Sequence, residues 1–333
     1  MARRLRIALA GAGMVTRHHL VGWSRVRDAD VVAICNRTQD RARNRAAEFE
    51  IPAVYGAFDE MLDVERPDAV DIAFAVDIHA EAVRAAAERG IAVFCQKPLT
   101  PTYAQARALV AEIGDRLPFM VHENWRFRPQ YRQAAAWIAK GCVGAVRMFS
   151  INTFCSGLIR RSDSVPPPAL ERQPFFAELE RFIVFELLIH HLDVARYLVG
   201  ERLTVTGARL SRQSPDVVGE VTAHIVLEGD GGAVGTVVGS FMVPGTPPRA
   251  QDRMELVGED GRILFEGNRL TLFHRQGDET IEFDLDAGYQ ASYDGAITHF
   301  AECLRFETPF ETSAADNLET LRLVDETYRM ADK

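Results

Sequence analysis

The sequence is short of the features that mark a secreted or membrane-bound protein. Its five cysteines, Cys35, Cys95, Cys142, Cys155 and Cys303, are an odd number without a Cys-x-x-Cys pair. They read as reduced thiols in a cytoplasmic protein rather than a disulfide framework. Arg3, Arg4 and Arg6 are followed by an apolar run of only Ile7 to Ala10 before Gly11 interrupts it, so no signal peptide or membrane span is expected there. Basic residues number 38 against 47 acidic ones, a net charge of -9, and the basic clusters are no longer than Arg3-Arg4 and Arg41-Ala42-Arg43-Asn44-Arg45. That balance disfavours nucleic acid and anionic membrane as partners. Repeats and low-complexity tracts are absent as well.

What is present is an ordinary globular composition, 47% apolar and 26% charged, over 333 residues. That length fits two domains, each with a core of its own. Leu5 to Ala10 is a short apolar strand, and Gly11-Ala12-Gly13-Met14-Val15-Thr16 leads from it into a helix through His19 and Trp23. These are the first two glycines of a dinucleotide fingerprint in the strand–turn–helix setting that gives the motif meaning, with Thr16 replacing the third. Gly11 allows the tight turn and Gly13 lets the backbone approach a pyrophosphate. Met14 and Val15 carry that backbone into the helix N-terminus, whose free amides favour the charge.

Apolar strands and amphipathic helices then alternate as far as Val121, which describes a parallel sheet covered on both faces. Ligands of such sheets bind over the C-terminal strand ends. Ala75 and Val76 after the fourth strand, His79 on the next helix and Gln96 at the end of the fifth strand therefore join the cofactor candidates. Where the second strand ends, the carboxylate that would bond the ribose hydroxyls of NAD is missing. Asn36 stands there, followed by Arg37, with Arg41 one turn further on. Less negative and more positive charge favours NADP, with NAD as the alternative. The fifth strand runs out into Gln96-Lys97-Pro98. The proline keeps Lys97 out of the helical region, so the main chain helps to aim its ammonium at the sheet rim as a candidate base.

Beyond Val121 the rhythm changes. His122-Glu123-Asn124-Trp125-Arg126-Phe127 leaves the sixth strand at the same edge as Lys97, and Glu123, Asn124 and Arg126 are candidates for gripping substrate hydroxyls. A helix from Pro129 to Gly141 is followed mainly by strands. Asp260-Gly261 and Gly267-Asn268 signal hairpins in a largely antiparallel sheet, and helices from Tyr293 to Phe306 and from Ser313 to Met330 close the chain. The expected fold is α/β, with a dinucleotide-binding domain over 1–122 and an α+β substrate and oligomerisation domain over 123–333. Phe182 to Val194 is apolar nearly all round and predicts a buried helix. On it Glu186, His190 and Asp193, spaced by four and three, share one stripe, while His191 points elsewhere. Ionisable groups there are costly unless paired, so the stripe reads as a polar cleft wall and its members as catalytic candidates. Without a His-Glu-x-x-His or a cysteine pair, no metal is expected.

Together, Gly11-Ala12-Gly13, Asp77-Ile78-His79, Gln96-Lys97-Pro98, His190-His191-Leu192-Asp193 and the run from His299-Phe300 through Thr308-Pro309 resemble the glucose-fructose oxidoreductase, inositol dehydrogenase and MocA family. Resemblance implies a Rossmann domain followed by a domain with an open antiparallel sheet that forms a homo-oligomer contact, in a dimer or tetramer. It also implies a carbohydrate substrate beside Lys97, His190 and the nicotinamide, in an NAD(P)-dependent hydride transfer. Three departures stand out: Gln96 replaces the usual glutamate, Glu186 the usual aspartate, and Leu188 a common glycine. A glycosidase that transiently oxidises its sugar and a non-catalytic dinucleotide sensor are the alternatives.

Overall fold

The computed structural model describes residues 3–162 and 164–332. The chain divides into two compact units. One holds the residues up to Arg128 together with Tyr289–Leu321, and the other holds Pro129–Gly288 and the residues from Arg322 on.

The first stretch consists of β1 (Leu5–Ala10), α1 (Thr16–Arg25), β2 (Ala29–Cys35), α2 (Gln39–Phe49), β3 (Ala53–Tyr55) and α3 (Phe58–Glu65). After these come β4 (Ala69–Ile72), α4 (His79–Glu88), β5 (Ala92–Gln96), α5 (Tyr103–Ile113) and β6 (Phe119–His122). The six strands form one parallel sheet in the order β3-β2-β1-β4-β5-β6, as the alternating pattern predicts. The order reverses between β1 and β4, and the Gly11–Gly13 turn lies at that switch point, the place where such sheets open a crevice for a ligand.

The following elements are α6 (Pro129–Ala139), β7 (Val146–Phe154), α7 (Pro168–Arg172), α8 (Ile189–Val199), β8 (Leu203–Ser211), β9 (Thr222–Gly229) and β10 (Val234–Ser240). The last are β11 (Gln251–Gly258), β12 (Gly261–Glu266), β13 (Arg269–His274), β14 (Glu279–Glu282), α9 (Leu285–Phe306) and α10 (Ala314–Ala331).

On one face of the parallel sheet, Ile7, Phe94 and Met120 pack against Trp23 of α1 and against Ala296, Ile297 and Phe300 of α9. The Phe94 and Phe300 rings stack at 4.8 Å. Further along the same face Leu9, two residues on from Ile7, and Ile34 pack against Leu20 of α1 and against Ala42 and Ala46 of α2. Burying each large side chain of this kind contributes about 1.5–3 kcal/mol. A parallel sheet needs cover on both faces, which explains why Tyr289–Leu321 belongs with the first unit although the sequence placed it in the second domain. Thr312 reinforces the join, because its carbonyl accepts from Val121 N at 2.8 Å and its hydroxyl donates to Val121 O at 2.7 Å.

In the second unit eight strands follow the order β14-β13-β12-β11-β7-β10-β9-β8. The sheet is antiparallel except where β7 meets β10. Two-residue turns, Glu259-Asp260 and Gly267-Asn268, close the predicted hairpins. Phe149, Ile151, Ile225, Val237, Leu256 and Phe265 alternate onto the buried face, where α6 and α8 lie. On the opposite face Met148, Val226 and Val234 stay 51%, 43% and 48% exposed. Among the described residues no helix is long and apolar enough to cross a membrane. All five cysteines are free thiols, and burial pushes Cys35 and Cys155 up to about 11.

The helix expected from Phe182 to Val194 departs from its prediction. Ile183–Leu188 is a π-helical turn, and only from Ile189 is the helix an α-helix. The stripe of Glu186, His190 and Asp193 assumed α spacing throughout, so that phase holds for His190 and Asp193 but not back to Glu186. The turn is held from outside its own sequence. Fully buried Glu220 accepts the amides of Phe182 at 3.1 Å and Val184 at 3.2 Å through Oε1, which also accepts from Tyr328 OH. Gly239 lets the turn come close, because a Cβ there would lie 2.7 Å from Leu188 Cδ2.

Candidate active site

The glycine turn is built for close approach. Gly11 has φ +119°, and a Cβ on it would lie 2.4 Å from Ala73 O, so only glycine fits. Gly13 and Met14 are exposed and nothing stands within 4 Å of a Cβ on Gly13. Helix α1 follows without a side-chain N-cap, which leaves its first amides to an anion. Thr16, in the third glycine position, is fully buried. A cleft lined by Ala12, Gly13, Met14, Arg41, Asn44, Arg45 and Glu48 opens beside this turn. The four α2 residues are spaced i, i+3, i+4 and i+7, one face of the helix. That spacing is readable from Arg41 onward, yet the sequence reading ends at Arg41 and misses Asn44, Arg45 and Glu48.

The charges of the cleft are sorted. Arg17 and Arg45 each hold Glu48 at 2.7 Å and keep its carboxyl below the usual range. Arg41 and Arg37 are exposed and carry no ion pair among the described residues. Asn36 bonds within the protein: Oδ1 accepts from Ala12 N at 3.2 Å and Nδ2 donates to Thr38 O at 2.9 Å. It thereby ties the glycine turn to the start of α2, and an aspartate could make only the first bond. The open loop, the bare helix end and the cationic wall fit a dinucleotide. Val15 is half-buried at this helix end, Ala75 is exposed and Val76 half-buried beyond β4. His79 is buried, with Nδ1 at 3.0 Å from Pro98 O and Nε2 at 3.0 Å from Phe74 O.

Lys97 is half-buried at the end of β5, the same sheet edge as the glycine turn. Its main-chain N–H donates to the side-chain Oε1 of Gln96 at 2.8 Å. Gln96 is 8% exposed and directs its amide inward, where Nε2 lies 3.0 Å from His19 Nε2 and 3.0 Å from His122 Nδ1. Asp71 Oδ2 in turn accepts from His19 Nδ1 at 2.8 Å and from Trp23 Nε1 at 2.7 Å. The sequence reading names Gln96 but misses Asp71 as its support. The available signal is a carboxylate inside the apolar strand Ala69–Ile72, a position that demands partners.

The cluster after β6 also faces inward. Glu123, Asn124 and Arg126 are buried. Asn124 Nδ2 donates to Ser292 Oγ at 2.7 Å, and Arg126 donates to Glu311 O at 3.0 Å and to Asp316 at 3.1 Å. In the second unit His190, His191 and Asp193 are buried and Glu186 is half-buried. Asp193 has Arg196 at 3.6 Å. His191 places Nε2 2.9 Å from Asp252, which accepts from Tyr131 OH at 2.9 Å, so this histidine serves packing between helix and strand. Among the described residues no three His, Cys, Asp or Glu side chains are grouped to hold a metal ion.

Comparison with known proteins agrees with this architecture. A family model described as an oxidoreductase family with an NAD-binding Rossmann fold matches residues 5–116, and the GFO/IDH/MocA C-terminal domain matches residues 131–264. The chain belongs to the Gfo/Idh/MocA family and is a nicotinamide-dependent oxidoreductase. It is 33% identical to the D-apiose dehydrogenase of Paraburkholderia graminis over 99% of this chain and 88% of that one. It is 26% identical to the myo-inositol 2-dehydrogenase of Thermotoga maritima, over 96% of this chain and 94% of the other. An oxidoreductase from Agrobacterium radiobacter, solved in complex with NAD+, L-tartaric acid and magnesium, superimposes with a TM-score of 0.91 at 29% identity. It covers 99% of this chain and 97% of its own.

Proposed function

We propose that the protein moves a hydride between a nicotinamide dinucleotide and a secondary alcohol carbon of a sugar or polyol, with Lys97 and His190 handling the hydroxyl proton. The observation that carries this reading is the placement of Lys97 at the same strand-end edge as the Gly11–Gly13 turn, its main chain fixed by Gln96. The names of the relatives, D-apiose and myo-inositol dehydrogenases, support the substrate class. The bound dinucleotide supplies the hydride acceptor or donor. Oxidation needs a base as the hydride leaves, and reduction needs the same group as an acid. Lys97 would hold the reacting oxygen, and His190 would take or relay its proton with Glu186 or Asp193 orienting the ring. Glu123, Asn124 and Arg126, buried in the first unit, are the candidates for gripping substrate hydroxyls.

NADP is the preferred cofactor in this proposal. Asn36 removes a carboxylate from the end of β2, and Arg41 faces the cleft beside Gly13 without an ion-pair partner among the described residues. The protein is further proposed to be a cytoplasmic homo-oligomer whose copies meet through the outer sheet face, where Met148 and Val234 are register partners on adjacent strands and both are exposed. The decisive experiment is to follow nicotinamide absorbance with NAD or NADP and a panel of sugars and polyols. Turnover that is lost on replacing Lys97 supports the reading, and no absorbance change with any substrate or an undiminished rate in the variant overturns it.

A further inference from the structure

The four groups behind Lys97 obey a proton count that a single side chain dictates. Gln96 Oε1 accepts the Lys97 N–H at 2.8 Å, so the amide nitrogen must be the end that faces the two imidazoles, each at 3.0 Å. That nitrogen brings two hydrogens and no acceptor capacity. His19 Nε2 and His122 Nδ1 are therefore both lone pairs. The proton of His19 then sits on Nδ1, where it is donated to Asp71 at 2.8 Å, and the proton of His122 sits on Nε2. His19, Asp71 and His122 are all fully buried, and the two imidazole rings lie 4.4 Å apart. The remaining titratable groups around the amide are Cys95 and Lys97 beside it in the chain, Glu123 after β6, and Tyr293 of α9. The Tyr293 ring lies 4.9 Å from that of His122, and burial keeps its phenol well above the usual range.

We propose that Gln96 is a positioning residue whose two amide hydrogens set the tautomers of His19 and His122 while its oxygen seats the Lys97 main chain. This rests on the reading of Lys97 as the catalytic lysine, although its central test does not. A glutamate in the same place would still seat Lys97 N–H but would turn an acceptor toward two acceptors. His122 can answer by moving its proton from Nε2 to Nδ1. His19 cannot, because moving its proton would leave a lone pair facing the Asp71 carboxylate. The variant must therefore take up one proton. It goes either to His19, making an imidazolium between Asp71 and the introduced carboxylate, or to that carboxylate itself. Buried acceptors facing one another without a proton are costly.

The experiment compares the wild-type protein with Gln96→Glu and with Gln96→Met, which is similar in size but has neither donor nor acceptor. In 15N spectra of histidine-labelled wild type, His19 should be the Nδ1–H tautomer and His122 the Nε2–H tautomer. A proton taken up only in the folded variant raises a folded-state pKa. Relative to wild type, whose unfolded histidines are the same, the unfolded state differs only by the introduced glutamate, so stability in Gln96→Glu is fully present below the unfolded glutamate value of about 4.3 and falls by up to about tenfold in the folding constant per pH unit above it. Gln96→Met should lose a constant amount across the same range. Both variants should lower kcat by on the order of tenfold to a hundredfold with little change in KM, as expected when a reacting group is misplaced. The same tautomer at both histidines, or parallel pH profiles for the two variants, would overturn the proposal. Agreement of spectra and stability with kcat unchanged would leave the proton count standing and refute the link to catalysis.

Discussion

His79 Nδ1 lies 3.0 Å from the main-chain oxygen of Pro98, the residue after Lys97, while its Nε2 lies 3.0 Å from Phe74 O. One imidazole thus straps the turn after β4 to the turn that presents the lysine. A neutral ring can donate to only one of these carbonyls at a time. Burial nevertheless lowers the His79 pKa, because desolvation of an imidazolium outweighs the carbonyls of Phe74, Pro98 and Leu99 that favour it.

The sign of the consequence follows from linkage. Unfolded, the ring titrates near 6.5, and folded it resists protonation, so the unfolded state binds more protons as the medium is acidified. The stability contributed is present above that value and is lost as pH falls below it toward the depressed folded value. Urea midpoints measured from neutral to mildly acidic pH should fall more steeply for wild type than for His79→Asn.

Replacing Lys97 with Ala should reduce kcat by about a hundredfold or more, the usual scale for a general acid–base group. Dinucleotide affinity, read by nicotinamide fluorescence, should remain within about threefold, since the glycine turn and α1 are untouched.

Arg41→Ala should weaken NADP by about tenfold and leave NAD nearly unchanged, because the lost contact is to the added phosphate. Isothermal titration with both cofactors checks this. An equal loss for the two assigns Arg41 to the shared part of the dinucleotide, and tighter binding of NAD by wild type overturns the NADP assignment.

Gly11→Ala combines a left-handed backbone, φ +119°, with a Cβ 2.4 Å from Ala73 O. The cost should reach about 3 kcal/mol or more, and dinucleotide binding should weaken with it. Guanidinium unfolding and a binding titration read the two effects separately.

Glu220→Gln retains a carbonyl acceptor for the Phe182 and Val184 amides and for Tyr328 OH but removes the charge and puts a buried amide nitrogen in place of Oε2. Bonds to charged groups contribute about 1.5–3 kcal/mol, and a loss of that order is expected. Hydrogen exchange should quicken first at the amides of Phe182 and Val184, where the π-helical turn leading to His190 begins.

Much of the fold was legible in local patterns. Apolar strands alternating with amphipathic helices predict the parallel sheet, because a strand buried on both faces has no room for polar positions. The two-residue hairpin at Gly267-Asn268 is legible as it stands, and the one at Glu259-Asp260 lies one residue before the Asp260-Gly261 signal, since turn chemistry is local. The glycine turn and the rim position of Lys97 were legible for the same reason. The helix from Phe182 was legible as helical but not as π-helical, since the carboxylate that holds its first turn belongs to Glu220, on a different stretch of chain.

Sequence alone determined the parallel sheet, the turn at Gly11 and the lysine at the end of β5, because each depends on residues a few places apart. Tertiary structure decided what surrounds that lysine. His19, Asp71, Gln96 and His122 come from α1, β4, β5 and β6, and they meet because parallel strands bring their C-terminal halves to one edge under one helix. Tertiary structure likewise gave Tyr289–Leu321 to the first unit, since an apolar helix shows in its sequence that it needs a face but not which one. Hydrogen-bond partners and packing faces are properties of folded neighbours, and no spacing along the chain encodes them.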